Sequence, residues 1–160
     1  MISLVQTSQY RVKELLRYVE SLNAQENIDF SKIQLIFVDQ GDCKEAFKNL
    51  NSQIDFKYIK YKPSSLSHAR NVGLAYVKGK FVSFPDDDCW YEKDTLSKVL
   101  VKLNSHDGVL IKATNEHGIP LAKYPHHNQK ASLYNHCSAC SNCIFLHYDE
   151  QIRFDENIGV

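Results

Sequence analysis

No charge of either sign is in surplus. Lys plus Arg and Asp plus Glu each number 19 among the 160 residues, a formal net charge of zero. A chain without a positive excess has no general hold on a phosphate backbone, so non-specific nucleic-acid binding is a poor first reading. Long apolar runs are missing too. None approaches the roughly 20 residues needed to cross a bilayer, and residues 1–6 are too short and uncharged for a secretory signal. These absences lead to the expectation of a soluble, cytoplasmic protein. Hydrophobic residues at 43% and charged residues at 24% exclude disordered and fibrous classes. No internal repeat or low-complexity tract is visible, and the length suits one domain. Cysteine is odd in number, at Cys43, Cys89, Cys137, Cys140 and Cys143. Without an export signal, free thiols are expected rather than disulfides.

Short apolar runs alternate with helical patterns over the first two thirds. Residues 2–5 read as a strand. In 10–23, Val12, Leu15, Leu16, Val19 and Leu22 recur at helical spacing, with Lys13, Glu14, Arg17 and Glu20 opposite. Residues 33–38 form a second strand, ended by Asp39-Gln40-Gly41-Asp42. A short helix is expected over 44–50 and a strand over 56–61. Ser67 can cap a helix to about Val77, with Ala69, Val72, Gly73 and Tyr76 on its buried side and Gly79 at its end. Strands follow at 80–84 and 109–112, with a helix capped by Asp94 running to Leu103 between them. Residues 115–142 read as a long loop and 143–147 as a strand. The alternation predicts a mostly parallel α/β sheet covered on both faces, and such sheets bind ligands at the carboxyl ends of their strands.

At one such end stands Phe84-Pro85-Asp86-Asp87-Asp88-Cys89-Trp90. Two carboxylates about 5 Å apart repel by roughly 3 kcal/mol at an effective dielectric near 20. The cluster therefore needs counter-charges or raised pKa values. In an extended segment, Asp86 and Asp88 would share one side and Asp87 the other. Carboxylate oxygens suit hard cations such as Mg2+ or Mn2+. A solvated acidic turn is the plainer reading of the same residues. Asp39 ends a second strand at the same edge.

Thr7, Val38-Asp39-Gln40-Gly41-Asp42, Ser67-His68-Ala69-Arg70-Asn71-Val72-Gly73-Leu74, Phe84-Pro85-Asp86-Asp87-Asp88-Cys89-Trp90-Tyr91 and the later Phe154-Asp155-Glu156-Asn157-Ile158-Gly159 together resemble glycosyltransferase family 2. The resemblance covers most of residues 1–112 and resumes near the end. It implies a Rossmann-like GT-A fold, C-terminally incomplete, in one domain over 1–160. Residues 1–112 would be its nucleotide-sugar half and 113–160 a partial acceptor-side region. The implied activity is an inverting, metal-dependent transfer of a sugar from a nucleoside diphosphate to an acceptor hydroxyl. UDP is the first choice of donor nucleotide, because Asp39 can accept from a uracil N–H. Thr7, Arg11, Asp39, Arg70, Asp86 and Asp87 would hold the nucleotide. Asp88 and Asp86, matching a DxD-type motif, would hold Mn2+ or Mg2+. A saccharide or lipid-linked saccharide acceptor in bacterial surface polysaccharide synthesis follows by analogy. So do association with the inner face of the membrane and self-association through uncovered apolar surface. The family's general base is an acid expected beyond Val160. Asp155 and Glu156 match an earlier motif, so no base is assigned.

Competing readings are a phospho-receiver domain, a sugar-nucleotide pyrophosphorylase and a non-catalytic nucleotide- or Cys-ligated metal-binding module. The first would place its acid pair after the first strand. The second needs a Gly-rich basic loop where Thr7-Ser8-Gln9-Tyr10-Arg11 stands. The third draws on His136-Cys137-x2-Cys140-x2-Cys143-x3-His147, whose spacing suits Zn2+ or an iron–sulfur cluster. Reduced, partly buried thiols are the default for those cysteines.

Overall fold

The computed structural model of the chain describes residues 1–132, 134–135 and 140–158. Every residue of β1 (Ile2–Ser8) and β2 (Ile33–Asp39) is buried. Both strands continue beyond their apolar runs, through Gln6-Thr7-Ser8 and to Asp39. They pair in parallel, Ile2 opposite Ile33 and Ser8 opposite Asp39. β3 (Asp55–Lys60) adds in parallel to β2, and β4 (Phe81–Ser83) in parallel to β1. β6 (Ile144–His147) runs antiparallel to β4 and also to β5 (Gly108–Leu110). The six-stranded order is β3-β2-β1-β4-β6-β5. The sheet is therefore mixed: β1 to β4 pair in parallel as expected, β5 runs in the same direction, and β6 enters against them between β4 and β5.

Alternate strand residues feed two cores. Ile2, Leu4, Ile33, Leu35 and Phe37 pack with Leu15, Tyr18, Val19 and Leu22 of α1 (Val12–Asn23) and with Leu96, Val99 and Leu103 of α3 (Thr95–Leu103). Val5, Ile36 and Val82 face the other way and meet Leu74 of α2 (Leu66–Leu74) and Phe84. Each fully buried Leu or Ile contributes roughly 1.5–3 kcal/mol of transfer free energy. Helices thus cover both faces, as the alternation predicts.

Several boundaries differ from the sequence reading. Ser65, not Ser67, caps α2, its Oγ accepting from the His68 N–H at 3.3 Å. The helix ends at Leu74, and its buried residues are Ala69, Arg70, Gly73 and Leu74, while Tyr76 is exposed. The cause is contact with β1: a Cβ at Gly73 would lie 2.5 Å from Val5 Cγ1, so the helix backbone rests directly on the strand. Gly79 lies past the helix, where a Cβ would meet Ser3 Oγ at 2.7 Å. Residues 44–47 make a 3-10 turn in place of the longer helix. Asp94 precedes α3 but its carboxylate pairs with Lys98 at 2.5 Å instead of capping. Among the described residues, no helix is long and apolar enough to cross a membrane.

Candidate functional site

An open cleft of about 410 Å3 lies at the carboxyl edge of β1, β2 and β4, lined by Thr7, Ser8, Gln9, Arg11, Gln40, Ser64, Leu66, Asp86, Asp87 and Asp88. The three aspartates follow β4 in a turn closed by the Cys89 N–H donating to the Asp86 carbonyl at 3.2 Å. That turn removes the alternation expected of an extended segment. Asp87 and Asp88 share one partner and Asp86 takes another.

Arginines from two elements neutralise the carboxylates. Arg11, the residue before α1, reaches Asp87 Oδ1 at 2.8 Å with Nη1 and Asp88 Oδ2 at 3.3 Å with Nη2. Ser8 Oγ donates to the second oxygen of Asp87 at 2.6 Å. Arg70 of α2 donates to Asp86 Oδ1 at 2.8 Å. Burial pushes the Asp86 carboxyl above its usual range, and Arg70 offsets part of that rise. Arg70 is 5% exposed, and its guanidinium sits against the edge-to-face pair of Phe154 and Phe84, 5.1 Å and 6.0 Å from their centroids. The face of each ring attracts the cation. Backbone atoms of the turn are fixed as well. Gln6 Nε2 donates to the Asp86 carbonyl at 3.4 Å and Arg17 Nη2 to the Asp88 carbonyl at 2.7 Å. Arg17 also stacks over Trp90, 4.1 Å from its centroid.

Asp39 has a different setting. It is 0% exposed. Its Oδ1 accepts from the Gly41 N–H at 2.9 Å, and its Oδ2 accepts from the Cys43 N–H at 2.9 Å and from the Tyr58 hydroxyl at 2.7 Å. Burial and the bond to Asp39 push the Tyr58 phenol up to about 12. Asp39 therefore holds the turn after β2, and no oxygen of it reaches the cleft surface. Gln40, next to it, does line the cleft. Its amide donates to the carbonyls of Lys62 and Ser64, both at 3.2 Å, and to Ser64 Oγ at 3.0 Å, fixing the loop after β3.

Of the residues singled out from sequence, Thr7, Arg11, Asp86, Asp87 and Asp88 meet at this cleft, while Asp39 and Arg70 stand behind its wall. Ser8, Gln9, Gln40, Ser64 and Leu66 were not singled out. Ser8, Gln9, Gln40 and Ser64 end or follow the first three strands, so the carboxyl-edge rule alone points to them.

A second group sits beside α2. Asn71 Nδ2 donates to the Phe154 carbonyl at 2.9 Å and to Glu156 Oε1 at 2.8 Å, and its Oδ1 accepts from the Phe154 N–H at 2.9 Å. His68 Nδ1 donates to Glu156 Oε2 at 2.8 Å. The Asn71 amide and the His68 ring together hold Glu156 below its usual value. Ser67 Oγ donates to the Ile158 carbonyl at 3.0 Å, fastening residues 154–158 to the helix.

His136, Cys137 and Gly159 lie outside the described residues. Cys140 is exposed and Cys143 buried. Burial and nearby thiols push the Cys143 thiol up to about 11. His147 donates from Nε2 to the Leu103 carbonyl at 3.1 Å and packs edge-on against Phe81. Among the described residues, no three His, Cys, Asp or Glu side chains form a ready-made metal cage.

The model of the family described as Glycosyl transferase family 2 matches residues 7–156. The chain is 31% identical over 173 aligned residues to the minor teichoic acid biosynthesis protein GgaB of Bacillus subtilis, covering 91% of this chain and 18% of that protein. It is 27% identical over 127 residues to the poly(ribitol-phosphate) beta-N-acetylglucosaminyltransferase TarS of Staphylococcus aureus, covering 72% of this chain and 22% of TarS. The chain thus spans less than a quarter of either relative. The crystal structure of TarS 1–349 in complex with UDP superposes with a TM-score of 0.81 at 22% identity, covering 99% of this chain and 51% of that one. A mannosyltransferase from Pyrobaculum calidifontis, solved with GDP-Man and Mn2+, superposes at 0.62 with 15% identity over 70% of this chain and 35% of its own. The fold is that of the GT-A transferases.

Proposed function

The chain belongs to glycosyltransferase family 2, and from that premise we propose that its cleft binds a nucleoside-diphosphate sugar, UDP-linked by first choice. The sugar would pass to an acceptor hydroxyl of a bacterial surface polymer. One observation carries the reading: Asp86, Asp87, Asp88 and Arg11 converge on a single cleft at the tips of β1, β2 and β4. Thr7, Gln40 and Ser64 offer polar contacts, and Leu66 an apolar surface, for the nucleoside. Asp39 supports that end from behind by setting the turn that Gln40 enters. Arg70 orients Asp86 in the same indirect way. The UDP bound to TarS and the teichoic-acid role in the name of GgaB favour this donor and this class of acceptor.

The donor set suits a hard divalent ion. The cleft lining offers carboxylate, hydroxyl and amide oxygens and no thiol or imidazole, and the Asp88 side chain is half exposed. Asp88, with Asp86, would hold Mn2+ or Mg2+. When bound, such an ion supplies charge stabilisation for the departing diphosphate. The chain's own part is to orient the donor and to compensate charge through Arg11 and Arg70.

A thermal-shift panel of nucleoside diphosphates with and without Mn2+ tests the reading. UDP at about 100 times its Kd adds about 2.7 kcal/mol, a Tm rise of roughly 5–10 °C at this chain size. The rise is expected to be larger with Mn2+ than without it, and the gain from Mn2+ is expected to be lost in Asp88→Ala. Nucleotide binding that ignores both the metal and that substitution sinks the proposal.

A further inference from the structure

Arg11 serves two carboxylates unequally. Its arm to Asp87 is short, at 2.8 Å, and meets a side chain only 11% exposed that Ser8 also holds. Its arm to Asp88 is longer, at 3.3 Å, and meets a side chain 50% exposed. An exposed arm of that length is weak and screened by salt. Asp88 is also the carboxylate assigned above to the divalent ion. A guanidinium and a dication compete for its oxygens, and the dication brings twice the charge.

The position of Arg11 gives it somewhere else to go. It precedes α1, its side chain is about half exposed, and it lines both the cleft and a shallower groove formed with Lys13, Glu14, Arg17 and Asp88. A guanidinium presents paired donors that match phosphate oxygens as well as carboxylate oxygens. We propose that Arg11 is an exchangeable counter-ion: it holds the Asp87–Asp88 pair together, yields Asp88 to a divalent ion, and moves to the diphosphate of the donor. This rests on the metal and nucleotide reading above. Its consequence is coupling. Each ligand alone must work against the Arg11–Asp88 contact. Together, one takes the carboxylate and the other takes the guanidinium.

The experiment measures Mn2+ alone by electron paramagnetic resonance, and UDP by calorimetry without Mn2+ and at saturating Mn2+. The proteins are the wild type, Arg11→Met, Arg11→Lys and Asp88→Ala, each checked for folding by circular dichroism. Mn2+ and UDP are expected to tighten one another about tenfold in the wild type, within the usual range of site–site coupling. Arg11→Met keeps the stem and removes the fork. It should bind Mn2+ alone several-fold more tightly, yet bind UDP at saturating Mn2+ several-fold more weakly. A merely structural role cannot produce those opposite signs. Arg11→Lys keeps the charge but cannot span both carboxylates, so its affinity for Mn2+ alone should also rise. Arg11→Met affinities that both fall or both stay unchanged overturn the exchange, and so does Arg11→Lys binding Mn2+ like the wild type. If UDP binding depends on Mn2+ and loses that dependence in Asp88→Ala, such a result leaves the metal reading standing and removes the exchange alone. Mn2+-independent UDP binding in the wild type removes both.

Discussion

Asp39 accepts two backbone N–H bonds and one phenol bond with no water-facing surface. Truncation to Ala would orphan the Gly41 and Cys43 N–H groups in the interior. Bonds to a charged acceptor are worth about 1.5–3 kcal/mol each, with partial relaxation on truncation. Asp39→Ala is expected to cost roughly 2–4 kcal/mol, at the upper end for single substitutions. Urea denaturation checks this as a lowered midpoint with unchanged slope. The substitution should also weaken UDP binding without metal, because Gln40 and the Ser64 loop lose their support. Asp39→Asn keeps the volume and should cost less in both respects. The cleft residues were only partly legible for a related reason. The buried ends of β1 and β2, Gln6-Thr7-Ser8 and Asp39, are polar, so an apolar pattern stops short of the residues that build the wall. The strands' existence can be read from hydrophobicity; their functional tips cannot.

At the scale of elements, α2 joins the two groups of polar residues. Gly73 permits its contact with Val5, so Gly73→Ala pits a small gain in helix propensity against a 2.5 Å clash with a core side chain. Overpacking wins in a dense core. We expect a net loss of about 1–3 kcal/mol, read as a lower Tm by calorimetry. On its outer side, α2 holds residues 154–158 through Asn71, His68 and Ser67. Glu156 titrates below its usual 4.5 there. Its folded value is thus lower than its unfolded one, and the unfolded state takes up the extra proton first. The contribution is complete above the unfolded value and is lost as pH falls through the folded one. Amide exchange in 154–158 should therefore accelerate in acid relative to the strands, and Glu156→Gln should show faster exchange already at neutral pH. Protection in that segment that keeps a constant ratio to that of the strands at every pH, and is unchanged by the substitution, would remove the latch. The docking of 154–158 was invisible to periodicity, which reports on neighbours in sequence. So were the partners of the aspartates, since Arg11 and Arg70 come from separate elements and only their meeting gives them meaning. The Phe154-Asp155-Glu156 motif identified a family resemblance without revealing what it touches.

For the whole molecule, zero net charge conceals a local arrangement in which an acidic turn is met by Arg11, just before α1, and by Arg70 of α2, and is clasped along its backbone by Arg17. The parallel half of the sheet followed from the alternation of strands and helices. The position of β6 did not, because nothing local marks a strand that runs backwards between two others. That strand has a temporal consequence. The hydroxyl of Ser83 in β4 donates to the Ile144 carbonyl, 61 positions along the chain, and Phe81 pairs with His147. A chain emerging from the ribosome would carry β4 with one ladder edge bare while all the intervening loop is made. Closing so long a loop is slow relative to local contacts, and a bare edge invites pairing with other chains meanwhile. Nascent protein stalled before Ile144 should therefore be the species most in need of a chaperone.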